Sequence, residues 1–331
     1  MNRFNLKNLL FSVAVLLLFS AFSLAQDNEE VIKIDTDLTT FDVVVTDAGG
    51  KPVRGLKAKD FRIFEDGEER DVEFFEQTQR ANGARPIAIV FALDVSGSVT
   101  TEEIEKLRRA TNVFIDRLAD KTATFALITF GMNVKRLQEF TSDKRKIERA
   151  FEKLLRDENG LSTHAYDAVD DAVRLLSRKA PRTKGQLPVK KSVIVVTDGF
   201  PVGDVVSPAT VIERAQAAEV SIFTVTLPSF TKISLSKNRA PLPTPLDVSG
   251  LAEKTGGKSV YATDKDFEPL FRTLAEDVTA SYLLAFYPDE EKRRDGRFHT
   301  VKIEARNPGY SVRQNRNGYQ SKDEGGRMKD E

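Results

Sequence analysis

The sequence predicts an α/β fold: a doubly wound, mostly parallel sheet inserted in a flanking β-sandwich that the N- and C-terminal strands form together. The first observation behind this is a continuous apolar run at 86–93, with further largely apolar, β-rich stretches at 124–130 and 192–197, as expected of strands buried on both faces. The second is that residues between these runs recur at helical spacing, as at Ile104, Leu107, Thr111, Phe114 and Leu118, so that strand and helix alternate. The third lies at the two ends of the chain. The strand-like stretches before residue 86 and after residue 280 are each too few to bury a face, and each matches what the other lacks.

In chain order, Arg3 and Lys7 form a positive start, residues 9–19 an apolar run broken only by Ser12, and Ser23-Leu24-Ala25 a small-x-small cleavage site. A membrane-spanning helix needs about 20 apolar residues, and this run is shorter. Residues 1–25 are therefore expected to be an export signal, with mature protein from Gln26 in the periplasm or outside the cell. An uncleaved N-terminal anchor is the alternative. No later segment is apolar enough to span a membrane, and no cysteine follows the cleavage site to carry a lipid. Residues 26–85 read as sandwich strands: 31–38 and 40–46, turn chemistry at 48–52, then 61–64, the Glu65-Asp66-Gly67 turn and 71–75. Residues 77–85 read as a polar linker.

Residues 86–280 form the α/β part. After the strand at 86–93 come the helix around Ile104–Leu118, a strand at 124–130 and an edge strand at 134–140. Helices at 143–155 and 166–176, a strand at 192–197, a helix at 208–218 and a strand at 220–226 follow. Residues 228–245 are punctuated by prolines and read as a surface loop, before 251–255, a short strand at 259–261 and a helix at 266–279. Residues 281–314 return to β structure at 282–287, 298–305 and 310–314. The polar segment 315–331 is expected to be a disordered tail.

Composition removes several classes of function. Lys plus Arg total 50 and Asp plus Glu total 50, interspersed, so nothing attracts nucleic acid as such. With no cysteine, disulfides, thiolate zinc sites and cysteine nucleophiles are excluded. The only histidines are His164 and His299, which leaves oxygen donors as the available metal chemistry.

The segment Asp94-Val95-Ser96-Gly97-Ser98 follows the first central strand. Ligands in doubly wound sheets sit beyond the carboxyl ends of the strands. Alternate residues of an extended stretch face one way, so a carboxylate and two hydroxyls converge there. Thr100 and Glu103 have the spacing of a helix capping box. The segment resembles the D-x-S-x-S signature of von Willebrand factor A-type domains. That resemblance implies a Rossmann-like fold and a metal-ion-dependent adhesion site made of Asp94, Ser96 and Ser98. It adds Thr163, in Leu161-Ser162-Thr163-His164, and Asp198, in Val195-Val196-Thr197-Asp198-Gly199, over a matching region of roughly 86–280. Leu161-Ser162 departs from the Gly-Gly pair common there. The flanks resemble a bacterial group of secreted von Willebrand A-related proteins, through Asp60-Phe61, Glu65-Asp66-Gly67, the strand 282–288 and Asp295-Gly296-Arg297-Phe298.

The resemblance implies Mg2+, with Mn2+ as a substitute, held by these oxygens with a coordination position open to a carboxylate of a protein ligand. The expected function is a secreted or periplasmic binding or adhesion protein and not an enzyme. A structural or assembly subunit of a cell-envelope complex is the alternative, and a metal-dependent hydrolase a more distant one. Ser96 stands where an aspartyl phosphatase needs a second carboxylate, and neither Ser96 nor Ser98 lies in a G-x-S-x-G elbow. Glu102, Glu103 and Asp167 read as first-turn acids of helices, Asp204 as a loop carboxylate near the site, and His164 as a loop histidine without a role. Tyr282, Phe286 and Tyr287 read as sandwich residues.

Overall fold

A computed structural model describes residues 38–80, 83–118, 122–154, 162–181, 187–228, 243–262 and 266–322. The signal expected at 1–25, nearly all of the strand expected at 31–38 and most of the loop expected at 228–245 lie outside them. All the described residues belong to one compact unit, Ile34–Glu331.

The strands run β1 Thr39–Thr46, β2 Phe61–Glu65, β3 Glu68–Arg70, β4 Phe74–Gln77, β5 Gln79–Arg80, β6 Gly83–Ala84 and β7 Ile87–Asp94. Helix α1 Thr101–Arg117, strands β8 Ala123–Phe130 and β9 Lys135–Thr141, and helices α2 Lys144–Glu152 and α3 Ala165–Lys179 follow. Next come β10 Lys190–Thr197, α4 Pro208–Ala217, β11 Val220–Thr226, α5 Pro245–Val248, β12 Ser259–Tyr261 and α6 Glu268–Thr279. The chain then makes β13 Ser281–Phe286, β14 Phe298–Ala305, β15 Ser311–Gln314 and β16 Gly318–Gln320.

The central six-stranded sheet has the order β12-β11-β10-β7-β8-β9. Every pairing in it is parallel except that of β8 with β9. Strand β7 is buried along its whole length, and its residues alternate between two cores. Ile87, Ile89, Phe91 and Leu93 pack with α1, α2 and α6, where Phe91 meets the Phe114 ring edge-on at 5.5 Å. Ala88, Val90 and Ala92 pack with α3 and α4. Both faces are thus covered, which is why the sequence reads as an unbroken apolar run. Helix α1 begins with the expected capping box: the Thr100 hydroxyl accepts from Glu103 N at 3.2 Å, and Glu103 accepts from Thr100 N at 2.9 Å.

The remaining strands make two antiparallel four-stranded sheets, β15-β1-β13-β4 and β16-β14-β2-β3. Each mixes strands from before and after the α/β part, and together they enclose one apolar cluster of Phe41, Phe61, Ile63, Tyr282, Phe286, Ile303 and others. Tyr282 and Phe286 are therefore core residues, whereas Tyr287 is exposed at 37%.

Several sequence expectations need correction. The tail expected from 315 is ordered through its first residues: β16 pairs with β14, Asn315 is 1% exposed, and the Tyr319 hydroxyl donates to the buried Glu65 carboxylate. Asn315, Tyr319 and Ser321 are buried because each finds a partner elsewhere, in Asp42, Glu65 and Asp295. The linker expected at 77–85 instead contains the paired strands β5 and β6 and ends on Arg85, which is buried because its guanidinium grips Asp42 of β1. The last part of the expected 228–245 loop is a helix start, where Thr244 caps α5 in a capping box with Asp247.

Candidate metal centre

Reading along the chain, the central sheet is first extended outward from β7 to β8 and β9, and then resumes on the other side of β7 with β10. The carboxyl ends of β7 and β10 flank that reversal, where doubly wound sheets form their ligand crevice. Asp94 closes β7, and Thr197 closes β10 with Asp198 directly after it.

Asp94 is 1% exposed. Its Oδ1 accepts from Ser96 N at 2.8 Å and its Oδ2 from the Thr197 hydroxyl at 2.6 Å. Burial pushes its carboxyl up to about 6, and the neighbouring charge of Asp198 pushes the same way against the hydrogen bonds from Ser96 and Thr197. The groups that act on it most strongly are Ser96, Thr197 and Asp198. The Ser96 and Ser98 hydroxyls lie 3.0 Å apart; Ser96 is buried and Ser98 exposed, so the serine pair leads from the buried carboxylate to solvent.

Asp198 is 8% exposed, and Phe200 N donates to its Oδ1 at 3.3 Å. Between them Gly199 adopts φ +90°, and a Cβ there would lie 2.4 Å from the Thr244 side chain. Only glycine meets both demands, so Gly199 sets the turn that presents Asp198.

Thr163 reaches this end of the sheet through a two-way backbone pairing with Val202: Thr163 N donates to Val202 O at 2.9 Å, and Val202 N to Thr163 O at 3.0 Å. His164 N donates to Gly131 O, and Val95 N to Phe130 O. These bonds tie the segments following β7, β8 and β10 and preceding α3 to one another. Asp94, Ser96 and Ser98 thus share one loop, Asp198 stands beside Asp94, and Thr163 sits on the strand-like bridge to the Asp198 loop. Leu161 lies outside the described residues, while the Ser162 hydroxyl donates to Met132 Sδ at 3.1 Å.

The carboxylates around His164 form a clamp. Asp204 Oδ1 accepts from Asp167 N at 2.9 Å, at the first turn of α3. Asp167 in return accepts from Val205 N and Val206 N, and His164 Nδ1 lies 2.8 Å from its Oδ2. Burial raises the carboxyl of Asp167, but these partners outweigh it and hold its pKa below the ordinary value; burial and the charge of Asp167 raise that of Asp204. His164, Asp167 and Asp204 offer possible ligand atoms within 4.8 Å of one another. The Asp167 oxygens are already engaged by amides, and the group's evident work is to fasten the 204–206 segment to the start of α3. His164, expected to have no role, is part of that fastening.

Sequence reasoning missed Thr197. Its hydroxyl donates to Asp94 and accepts from Gly199 N at 3.1 Å, linking the ends of β7 and β10. The available signal was a hydroxyl that ends an otherwise apolar run immediately before Asp198.

The von Willebrand factor type A domain family matches residues 88–268. No curated protein matches the chain. Among solved structures, an aerotolerance-related membrane protein from Bacteroides fragilis, carrying multiple mutations to serine, is 14% identical. The match covers 58% of this chain and 98% of that one, with a TM-score of 0.45. The conserved hypothetical protein BatB from Bacteroides thetaiotaomicron is 17% identical over 58% of this chain and 97% of its own, with a TM-score of 0.43. Proximal thread matrix protein 1 from the mussel byssus, solved with a zinc-occupied metal-ion-dependent adhesion-site motif, is 18% identical over 61% of this chain and 47% of its own, with a TM-score of 0.46.

Proposed function

Because the chain belongs to the von Willebrand factor type A domain family, we propose that it is a binding protein that holds a divalent cation through Asp94, Ser96, Ser98, Thr163 and Asp198. The cation is Mg2+, with Mn2+ able to replace it, and it receives an acidic group of a protein partner. One observation carries this reading. Asp94 is a buried carboxylate whose strongest neighbours are a second carboxylate and neutral hydrogen-bond donors. An uncompensated buried charge costs several kcal/mol, and a bound cation is what would offset it. The donor set fits: carboxylate and hydroxyl oxygens suit Mg2+ and Mn2+.

When bound, the cation would supply positive charge with a coordination position open to a carboxylate. The chain's own part is positional. Ser96 N and Thr197 hold the Asp94 carboxylate, Gly199 aims Asp198, and the pairing with Val202 holds Thr163. The reading is non-enzymatic: a module that binds without turnover. Among the described residues no helix is long and apolar enough to cross a membrane. The charged start, apolar run and cleavage site of residues 1–25 support export to the periplasm or beyond, and the flanking motifs support the secreted bacterial group.

Calorimetric titration with Mg2+ and Mn2+ tests the site. Asp94→Ala is expected to abolish measurable binding, because it removes one of two anionic donors. Ser98→Ala is expected to weaken binding several-fold, since water can replace a neutral hydroxyl. Equal affinity of wild type and Asp94→Ala would overturn the assignment.

A further inference from the structure

We infer that the partner received at this face presents a solitary acidic residue flanked by apolar side chains on a protein segment. The inference rests on the metal-dependent reading above and adds the chemistry of the partner. Among the described residues seven large apolar side chains are exposed, and Met132, Phe200, Val202 and Val205 are four of them. All four belong to the segments that build the candidate metal centre. Val205 is 88% exposed and Val202 52%. Scattered exposed apolar residues are ordinary, but a concentration of them in one place marks an interaction surface.

Each of the four is bonded to the site, Met132 through its own sulfur and the other three through backbone groups that leave the side chain outside. Met132 Sδ accepts from Ser162, next to Thr163. Phe200 N donates to the Asp198 carboxylate, Val202 pairs with Thr163, and Val205 N donates to the Asp167 carboxylate at 3.0 Å. Phe200, Val202 and Val205 are therefore held out by the same backbone that places the oxygen donors, and a surface organised in advance loses less freedom on binding.

Charge narrows the partner further. Segments 94–100, 131–134, 162–164 and 198–207 contain no lysine or arginine, and their only charged residues are Asp94, Asp198 and Asp204. No side chain of these described segments draws in a carboxylate, so within them the cation would supply the attraction for one. A second acid in the partner would meet Asp204 rather than a cation. Apolar neighbours of the partner's acid meet Met132, Phe200, Val202 and Val205, and complementarity of this kind sets specificity.

The test uses the full chain, immobilised in Mg2+, panned with a random dodecapeptide library and eluted with EDTA, with Mg2+ calorimetry in parallel. The eluted peptides are expected to share one Asp or Glu with apolar residues within two positions on either side. A synthetic peptide of the enriched sequence is expected to bind the Phe200→Ser, Val205→Ser double variant at least tenfold more weakly, while that variant titrates Mg2+ as wild type does. Enriched acids flanked by polar or basic residues, equal binding to the double variant, or no EDTA-eluted peptide from a chain that binds Mg2+ would each overturn the inference and leave the metal site standing. So would a Mg2+-dependent dimer in light scattering, since the face would then receive a second copy of this chain. A wild-type chain that does not bind Mg2+ would overturn both readings.

Discussion

Asp42 and Asp94 are both buried strand carboxylates, 6% and 1% exposed, and their surroundings treat them oppositely. Asp42 lies in β1 of the sandwich, facing the α/β part. Burial would raise its pKa, but Arg85 and Lys190 beside it outweigh burial and hold it below the ordinary carboxylate value. Asp94, at the other end of the central sheet, has hydroxyls, an amide and another carboxylate for company, and is pushed up to about 6. A buried charge whose counter-charges are built in secures the fold; one without them is suited to receive a charge from outside. The contrast extends beyond the pair. Arg316 with Glu219 and Arg313 with Asp277 join the sandwich strands to the α/β part, whereas segments 94–100 and 198–207, which carry Asp94 and Asp198, contain no basic residue.

Breaking the Asp42 cluster should have the largest effect. Asp42→Asn leaves the buried Arg85 and Lys190 without their anion, and removing one partner of a buried pair costs about 3–5 kcal/mol. Chemical denaturation should show a loss of that size. A loss below about 1 kcal/mol would mean that water already solvates the cluster.

Asp94→Asn should act in the opposite direction and more weakly. Without added metal at pH 8, removing an uncompensated buried charge should stabilise the chain by about 1 kcal/mol, the order set by a pKa shift of this kind after allowance for a poorer hydrogen bond with Thr197. With Mg2+ the wild type should gain stability by ligand linkage and the variant should not. A variant less stable than wild type in EDTA would remove the contrast.

The smallest expected effect is a pH dependence arising in the sandwich. His299 lies between Asp66, 2.9 Å from its Nδ1, and Asp295, 3.0 Å from its Nε2. Burial disfavours its charged form, but the two carboxylates outweigh burial and raise its pKa. The His299 hydrogen bond leads in lowering Asp66, and the Ser321 hydroxyl, followed by His299, holds Asp295 at about 2. A raised histidine pKa gives stability that is fully present below about 6.5 and fades as pH rises through the folded value. Lowered aspartate pKa values give stability present above about 4 and lost in acid. Melting temperature should therefore be highest between these limits and fall toward pH 8.5, and His299→Gln should flatten the alkaline side. An unchanged alkaline slope in that variant would discount the bridge.

The central sheet was legible because burial on both faces writes itself as runs such as 86–93 and 192–197, which need no knowledge of partners. Asp94, Ser96 and Ser98 were legible because they lie together on one short segment. Placing Thr163 and Asp198 with them required the family pattern, since they come from loops far apart in sequence. Arg85, Asn315 and Tyr319 were misread because their burial depends on Asp42 and Glu65, and local composition carries no sign of such partners. The exposed Phe200 and Val202 were passed over for a related reason: an apolar residue in a loop reads the same whether it turns inward or outward. The Asp66–His299–Asp295 bridge brings together two flanking motifs that sequence comparison could only place side by side as a pattern.

The division of each sandwich sheet between early and late strands has a consequence for how the molecule is made. Tyr319 meets Glu65 across 254 residues of chain, and among the described strands β1 pairs with β13 and β15. During synthesis from the N-terminus, β1 to β4 emerge first yet cannot complete their sheets until the last strands arrive. The α/β part, whose strands and helices pair largely with near neighbours, can close while they wait. Until then the early strands expose unpaired edges, the condition under which chains aggregate or pair wrongly. A nascent chain of this architecture would therefore depend on something that shields β1 to β4 until synthesis ends, and a truncation before β13 should yield an aggregating fragment rather than a shorter folded protein.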